Sequence, residues 1–103
     1  MRRGEIRWYR FSAPDKKRPV LVLTRDVGIE ALGEVTVASV TSRIRGIPTE
    51  VRLSIEDGVL RDCVVNLDHI HNVSKGALGE ILGILPSNRW DEVRVALLYA
   101  TGF

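Results

Sequence analysis

A chain of 103 residues has room for one hydrophobic core and not two, so a single domain spanning residues 1–103 is expected. Its 15 Lys/Arg barely outnumber its 13 Asp/Glu, and it has no run of about eighteen apolar residues, so no membrane-spanning helix is expected. One cysteine, Cys63, excludes an internal disulfide and points to a reducing, cytoplasmic setting, with the thiol serving as a small buried hydrophobe.

The charge is unevenly placed. Residues 1–61 hold twelve Lys/Arg and eight Asp/Glu, and residues 62–103 hold three and five. The cationic excess falls on the strand-rich part, where it can gather on one face.

The N-terminus, Met1-Arg2-Arg3-Gly4-Glu5-Ile6, is basic but runs straight into an alternating pattern without an apolar signal core, which argues against a signal peptide. Ile6 to Phe11 is aromatic-rich and roughly alternating, a first strand, with Trp8 and Phe11 expected in the core rather than as base-stacking platforms. Ser12 to Lys17 reads as loop from its proline and polar residues. Val20 to Leu23 is a short apolar run bounded by Pro19 and Asp26, a buried strand. Pro19 cannot donate to a ladder and belongs at the start of that strand or on an edge. Arg18, preceding proline, is pushed into an extended conformation. A guanidinium is thereby held at the mouth of a buried strand, where its planar fork suits a phosphate. The same cations also suit a solvated turn.

Val27 to Gly33 connects to a strand over Glu34 to Val40. If these two strands form an antiparallel hairpin centred on the 29/30 junction, opposed residues have numbers summing to 59. Arg18 then faces Thr41, with Cβ atoms roughly 5 Å apart. A single bulge would spoil the match. Thr41 to Pro48 is a second polar, basic loop. Thr49 to Ile55 alternates Val51, Leu53 and Ile55 inward with Glu50, Arg52 and Ser54 outward, and Asp57-Gly58 is a turn. Cys63 to Leu67 reads as a buried strand and Ile70 to Val73 as a short continuation. A helical turn is expected near Lys75–Leu78 and a strand at Ile81–Leu85, since three glycines weaken any long helix there. The clear helix comes last: Ser87 as N-cap, Asp91 and Glu92 in the first turn, an apolar face of Trp90, Val93, Leu97 and Ala100, and Gly102 at its end. The fold class is mainly β with a C-terminal helix (α+β).

Metal chemistry finds little support. His69 and His71 are two apart on a strand, but no Cys or carboxylate pattern completes a site. Neither a phosphate-cradling glycine loop nor a nucleophile elbow is present. What remains is cations and hydroxyls: Lys16, Lys17, Arg18, Thr41, Ser42 and Arg43. Such a set can bind a phosphodiester and stabilise added negative charge on it. RNA brings its own nucleophile, the neighbouring 2′-hydroxyl, so aligning groups and charge are enough.

At this point the chain resembles a known family. Arg3-Gly4-Glu5-Ile6, Arg18-Pro19-Val20-Leu21-Val22-Leu23-Thr24-Arg25-Asp26, Val40-Thr41-Ser42, Asp62-Cys63-Val64-Val65-Asn66-Leu67-Asp68 and Gly83-Ile84-Leu85 stand in the order and at the spacings of the MazF/PemK toxins. The resemblance implies an SH3-like β-barrel of the MazF/CcdB type with a C-terminal helix, working as a homodimer. It implies a toxin of a type II toxin–antitoxin system that cuts single-stranded RNA without metal or cofactor, leaving a 2′,3′-cyclic phosphate. A cognate antitoxin would neutralise it. Arg18 and Thr41 match the family's catalytic arginine and threonine; Lys16, Lys17, Ser42 and Arg43 would contact RNA.

Three positions depart from the pattern. The loop before Arg18 is short and leaves Asp15 as the only candidate general base, position 7 is Arg7 instead of an aromatic residue, and position 71 is His71 instead of arginine. Two other readings stay open. One is a non-catalytic gyrase-binding toxin like CcdB, against which the ending Thr101-Gly102-Phe103, without the Trp-Gly-Ile of those toxins, counts. The other is an RNA-binding barrel that does not cut.

Overall fold

The computed structural model describes residues 1–11 and 17–103. Six strands form one antiparallel sheet: β1 (Glu5–Arg10), β2 (Lys17–Val22), β3 (Glu34–Thr41), β4 (Glu50–Leu53), β5 (Cys63–Ser74) and β6 (Leu78–Ile84). Helix α1 (Trp90–Thr101) follows. The order across the sheet is β4-β5-β3-β2-β1-β6, so among the described residues β4 and β6 are edges and hydrogen bonding does not close the sheet.

The apolar run in β2 is continuous because both faces of the sheet are covered. Leu21 points into a core with Ile6, Ala38, Val40, Leu53 and Val65, onto which α1 lays Trp90, Val93, Leu97 and Ala100, the face expected from its periodicity. Val20 and Val22 point the other way, into a second cluster with Ile29, Val35, Val37 and Val73, flanked by Tyr9 and Phe11. Gly102, at φ 79°, ends the helix by donating its N–H to the Leu98 carbonyl at 2.9 Å.

The β2–β3 hairpin has the expected register. Val20 opposes Ser39, Leu21 opposes Ala38 and Val22 opposes Val37.

Elsewhere tertiary packing overrides the local pattern. Trp8 belongs to neither core cluster, contrary to its expected place, whereas Phe11 packs against the second one. Ile55 is 72% exposed instead of inward, because β4 stops at Leu53. There the Ser54 N–H donates to Asp57 Oδ2 at 2.9 Å and a 3-10 turn over Ile55–Asp57 begins. The two short strands expected at 63–67 and 70–73 are one, β5, because its pairing with β3 slips instead of stopping. Ala38 opposes Ile70 while Ser39 opposes Asn66, leaving residues 67–69 as a bulge. Ser87 makes no side-chain cap; it opens a 3-10 turn that precedes α1.

Arg89 ties that turn to the rest of the fold. Its guanidinium meets both Glu92 carboxylate oxygens at 2.9 Å, reaches Asp57 Oδ2 at 3.2 Å and donates to the Arg52 carbonyl at 2.7 Å. The hydrogen bond from Arg89 holds the Glu92 carboxyl below its ordinary value of 4.5. A depressed acid stabilises the fold above its unfolded pKa, and that contribution is lost as pH falls through the folded one. Because the pair is partly exposed, Glu92→Gln should cost under about 1 kcal/mol at neutral pH. The gap in melting temperature between parent and variant should narrow as pH drops below the ordinary carboxylate value. An unchanged gap in acid would remove Glu92 from the linkage.

The turn after β4 docks on β6 by backbone contact. A Cβ built on Gly83 would fall 2.9 Å from the Asp57 carbonyl carbon and 3.0 Å from Gly58 Cα, and Gly58 itself sits at φ +98°. These two glycines let the end of β4 and the far edge of the sheet touch where no ladder forms. Gly83→Ala should therefore cost about 2 kcal/mol or more from overpacking against backbone, roughly 10 °C in melting temperature. Gly33→Ala, with nothing within 4 Å of the added carbon, is the neutral control in the same melting experiment.

Candidate active site

The site forms where the β2–β3 ladder gives out. Its last pair toward this end is Val20 with Ser39. The next residue of β2 is Pro19, which has no N–H to offer. Pro19 still opposes Trp8 of β1, so it sits in a strand that is an edge only on its β3 side. Beyond that pair, Arg18 and Pro19 on one strand and Val40 and Thr41 on the other line an open groove of about 570 Å³. The hairpin register thus brings Arg18 and Thr41 to one groove, flanking the same gap in the ladder.

Three further cations line it: Lys17 beside Arg18, Arg43 from the loop after β3, and Arg61 from the segment before β5. Among the described lining residues there is no carboxylate. None of Arg18, Arg43 and Arg61 is paired with an acid among the described residues. Four cations and no carboxylate among the described lining residues favour an anion in the groove. Ser42 also lines it, and Thr41 Oγ1 accepts the Arg43 N–H at 3.1 Å. That bond uses the oxygen lone pair and leaves the hydroxyl proton to donate to an incoming phosphate oxygen.

The remaining wall is apolar: Val59, Leu60, Leu82 and Cys63. Burial first, then the Asp57 and Asp62 charges, push the Cys63 thiol up. It stays a neutral thiol near pH 7 and is poorly suited to act as a nucleophile. His71 lies elsewhere, its Nε2 at 3.2 Å from Ser39 Oγ and its ring edge-on to Phe11 at 5.5 Å.

Of the residues singled out from sequence, Arg18, Thr41, Lys17, Ser42 and Arg43 share this groove. Asp15 and Lys16 lie outside the described residues. Two groove residues escaped sequence reasoning. Trp8 lines the groove, with the Lys17 ammonium 5.2 Å from its ring centroid. A signal for it existed, because a short turn between the first two strands would have set Trp8 against Pro19. Arg61 follows the Asp57-Gly58 turn with no periodic pattern around it, and only the tertiary path of the chain delivers it.

A family model described as PemK-like, MazF-like toxin of type II toxin–antitoxin systems matches residues 2–100. The chain belongs to this toxin family. It is 40% identical over 103 residues to a protein of Mycobacterium tuberculosis named probable endoribonuclease MazF2, covering 99% of each chain. The fold is similar to that of the M. tuberculosis toxin MazF-mt6, with a TM-score of 0.89, 31% identity and 96% and 97% of the two chains covered. It is also similar to a mycobacterial endoribonuclease solved in complex with its cognate antitoxin, with a TM-score of 0.84, 26% identity and 100% and 96% covered. The groove therefore sits on a scaffold that relatives named as endoribonucleases share along almost the full chain.

Proposed function

We propose that the chain, as one domain over residues 1–103, is the toxin of a type II toxin–antitoxin system. Its activity is metal-independent, sequence-selective cleavage of single-stranded cytoplasmic RNA. The observation that carries this reading is the groove at the end of the β2–β3 ladder, with four cations, two hydroxyls and no acid among the described lining residues. Relatives with near-complete coverage, named as endoribonucleases, support the same reaction.

The chemistry needs little from the protein. The 2′-oxygen of the RNA attacks the adjacent phosphorus as its proton passes to a base. A new O–P bond closes the 2′,3′-cyclic phosphate, and the bond to the 5′-oxygen breaks, that oxygen leaving with a proton. Between these events the phosphorane carries an extra negative charge. Arg18 faces that charge with its fork of donors and Thr41 donates its hydroxyl proton to a phosphate oxygen. Arg18 acts through its charge, since a guanidinium holds its proton too firmly to serve as a good acid. Lys16, Lys17, Ser42 and Arg43 hold the flanking backbone, and Arg61 extends the same cationic wall. Asp15, the acid nearest in sequence to Arg18, is the proposed base.

We read the scaffold as an SH3-like barrel whose seam is the Gly58–Gly83 backbone contact in place of a ladder. The working unit is a homodimer, neutralised by a cognate antitoxin, as the antitoxin complex of the mycobacterial relative supports. The test is incubation of the purified protein with a long unstructured RNA in EDTA. Discrete fragments ending in cyclic phosphate are expected. RNA left intact in every sequence tried, with supercoiling by gyrase inhibited instead, would replace this reading with the gyrase-binding one.

A further inference from the structure

Trp8 is the one aromatic ring among the described residues lining the cationic groove. Neither core cluster uses it, its side chain is half-buried, and it stands opposite Pro19, next to Arg18. The β6 backbone backs its stem: a Cβ on Gly79 would come 3.4 Å from Trp8 Cβ. Against the ring lies the Lys17 ammonium, 5.2 Å from the centroid. An indole face attracts a cation through its quadrupole and stacks on any nucleobase, so the two ligands compete for one surface. Only the base brings a phosphate with it.

We infer that Trp8 is the stacking platform for a nucleobase next to the scissile phosphate, and that Lys17 covers the ring until RNA arrives. The inference rests on the RNA-cleavage reading above. The arriving base displaces the ammonium from the indole. Lys17, one residue from Arg18, then turns to the phosphate of the stacked nucleotide. Stacking and phosphate capture are thereby coupled through one side chain. Trp8 is a binding residue, and its effect belongs in KM more than in kcat.

The experiment begins by mapping the bond the parent cuts. Short RNAs centred on that bond are then made with the base intact or with an abasic nucleotide on either side of it. Trp8→Ala should raise KM about ten- to a hundredfold on the intact RNA, and Trp8→Phe should recover most of the loss. Removing the base on one side should cost the parent a similar factor and cost Trp8→Ala almost nothing more. Additive losses, or a parent-like KM for Trp8→Ala, would overturn the platform. Should Trp8→Ala fail to fold, the parent's tryptophan fluorescence answers the same question. An uncleavable RNA with 2′-deoxyribose at the cut should quench it, and the matching abasic RNA should not; equal quenching by both would overturn the platform. If the parent cuts no RNA at all, the cleavage reading fails first and takes this inference with it.

Discussion

Replacing Arg18 by alanine should slow RNA cleavage by about a hundredfold or more while leaving the fold intact. The side chain is exposed at the start of β2 and is not paired with an acid among the described residues, so its removal unpairs nothing. What disappears is a charge held in place before the reaction begins. Pro19 restricts the backbone of Arg18, and the β1 ladder fixes it through the Tyr9 pairing. A backbone so restrained keeps the guanidinium near the groove, so less order is lost when it meets the phosphorane than for a charge on a mobile loop. Arg18→Lys should recover only part of the rate, because an ammonium keeps the charge but not the two-pronged geometry. Thr41→Ala should lose less, about tenfold, since a neutral hydroxyl contributes a weaker bond than a charged fork. The measurement is single-turnover cleavage of one defined RNA, with melting temperatures recorded beside it. Parent-like cleavage by Arg18→Ala would remove this residue from the mechanism.

Arg7→Ala should cost the fold about 3–5 kcal/mol, a large share of the stability of a domain this size. Glu5 and Arg7 are two apart on β1 and so project to the same side. Their side chains meet at 2.8 Å, with the Glu5 carboxylate only 7% exposed. Arg7 also donates to the Gly79 carbonyl at 2.9 Å, across the β1–β6 pairing. Truncating it leaves a buried carboxylate without its counter-charge, and the penalty for that charge exceeds the worth of the contact itself. A fall in melting temperature of roughly 15 °C follows. The double variant Glu5→Leu with Arg7→Met should regain most of the loss, because neither partner is then left charged and alone. A single variant that melts like the parent, or a double variant no better than the single, would show that the pair is not the source of the stability.

How much of this was legible beforehand depended on the range of the interaction. The continuous apolar run of Val20 to Val22 and the apolar face of Trp90, Val93, Leu97 and Ala100 are local signals, and they appear as β2 and α1. The pairing of numbers summing to 59 is semi-local, set by one connection between neighbouring strands, and it survived because no bulge interrupts β2–β3. It sets Arg18 opposite Thr41, and both line the groove. The motif from Arg18 to Asp26 pointed to the family for the same reason: its residues are consecutive.

Trp8 and Arg61 were set by longer-range facts, Ile55 by a local turn. Period-two alternation tells which residues share a face but not what covers that face, and here both faces of the sheet carry a core. Trp8 therefore reads as a core residue from its pattern, whereas Pro19 opposite it stands beyond the last β2–β3 pair and leaves the groove open. Ile55 continued an inward pattern that a four-residue capping turn cut short. Arg61 reaches the groove through a turn whose Gly58 rests on β6, a contact between segments far apart in sequence. The sequence alone determined the C-terminal helix, the β2–β3 register and the placing of Arg18 and Thr41 at one end of that hairpin, because those follow from neighbours along the chain. The tertiary structure alone decided which cations and which aromatic ring complete the groove, because that depends on where ladders stop and where two backbones can touch.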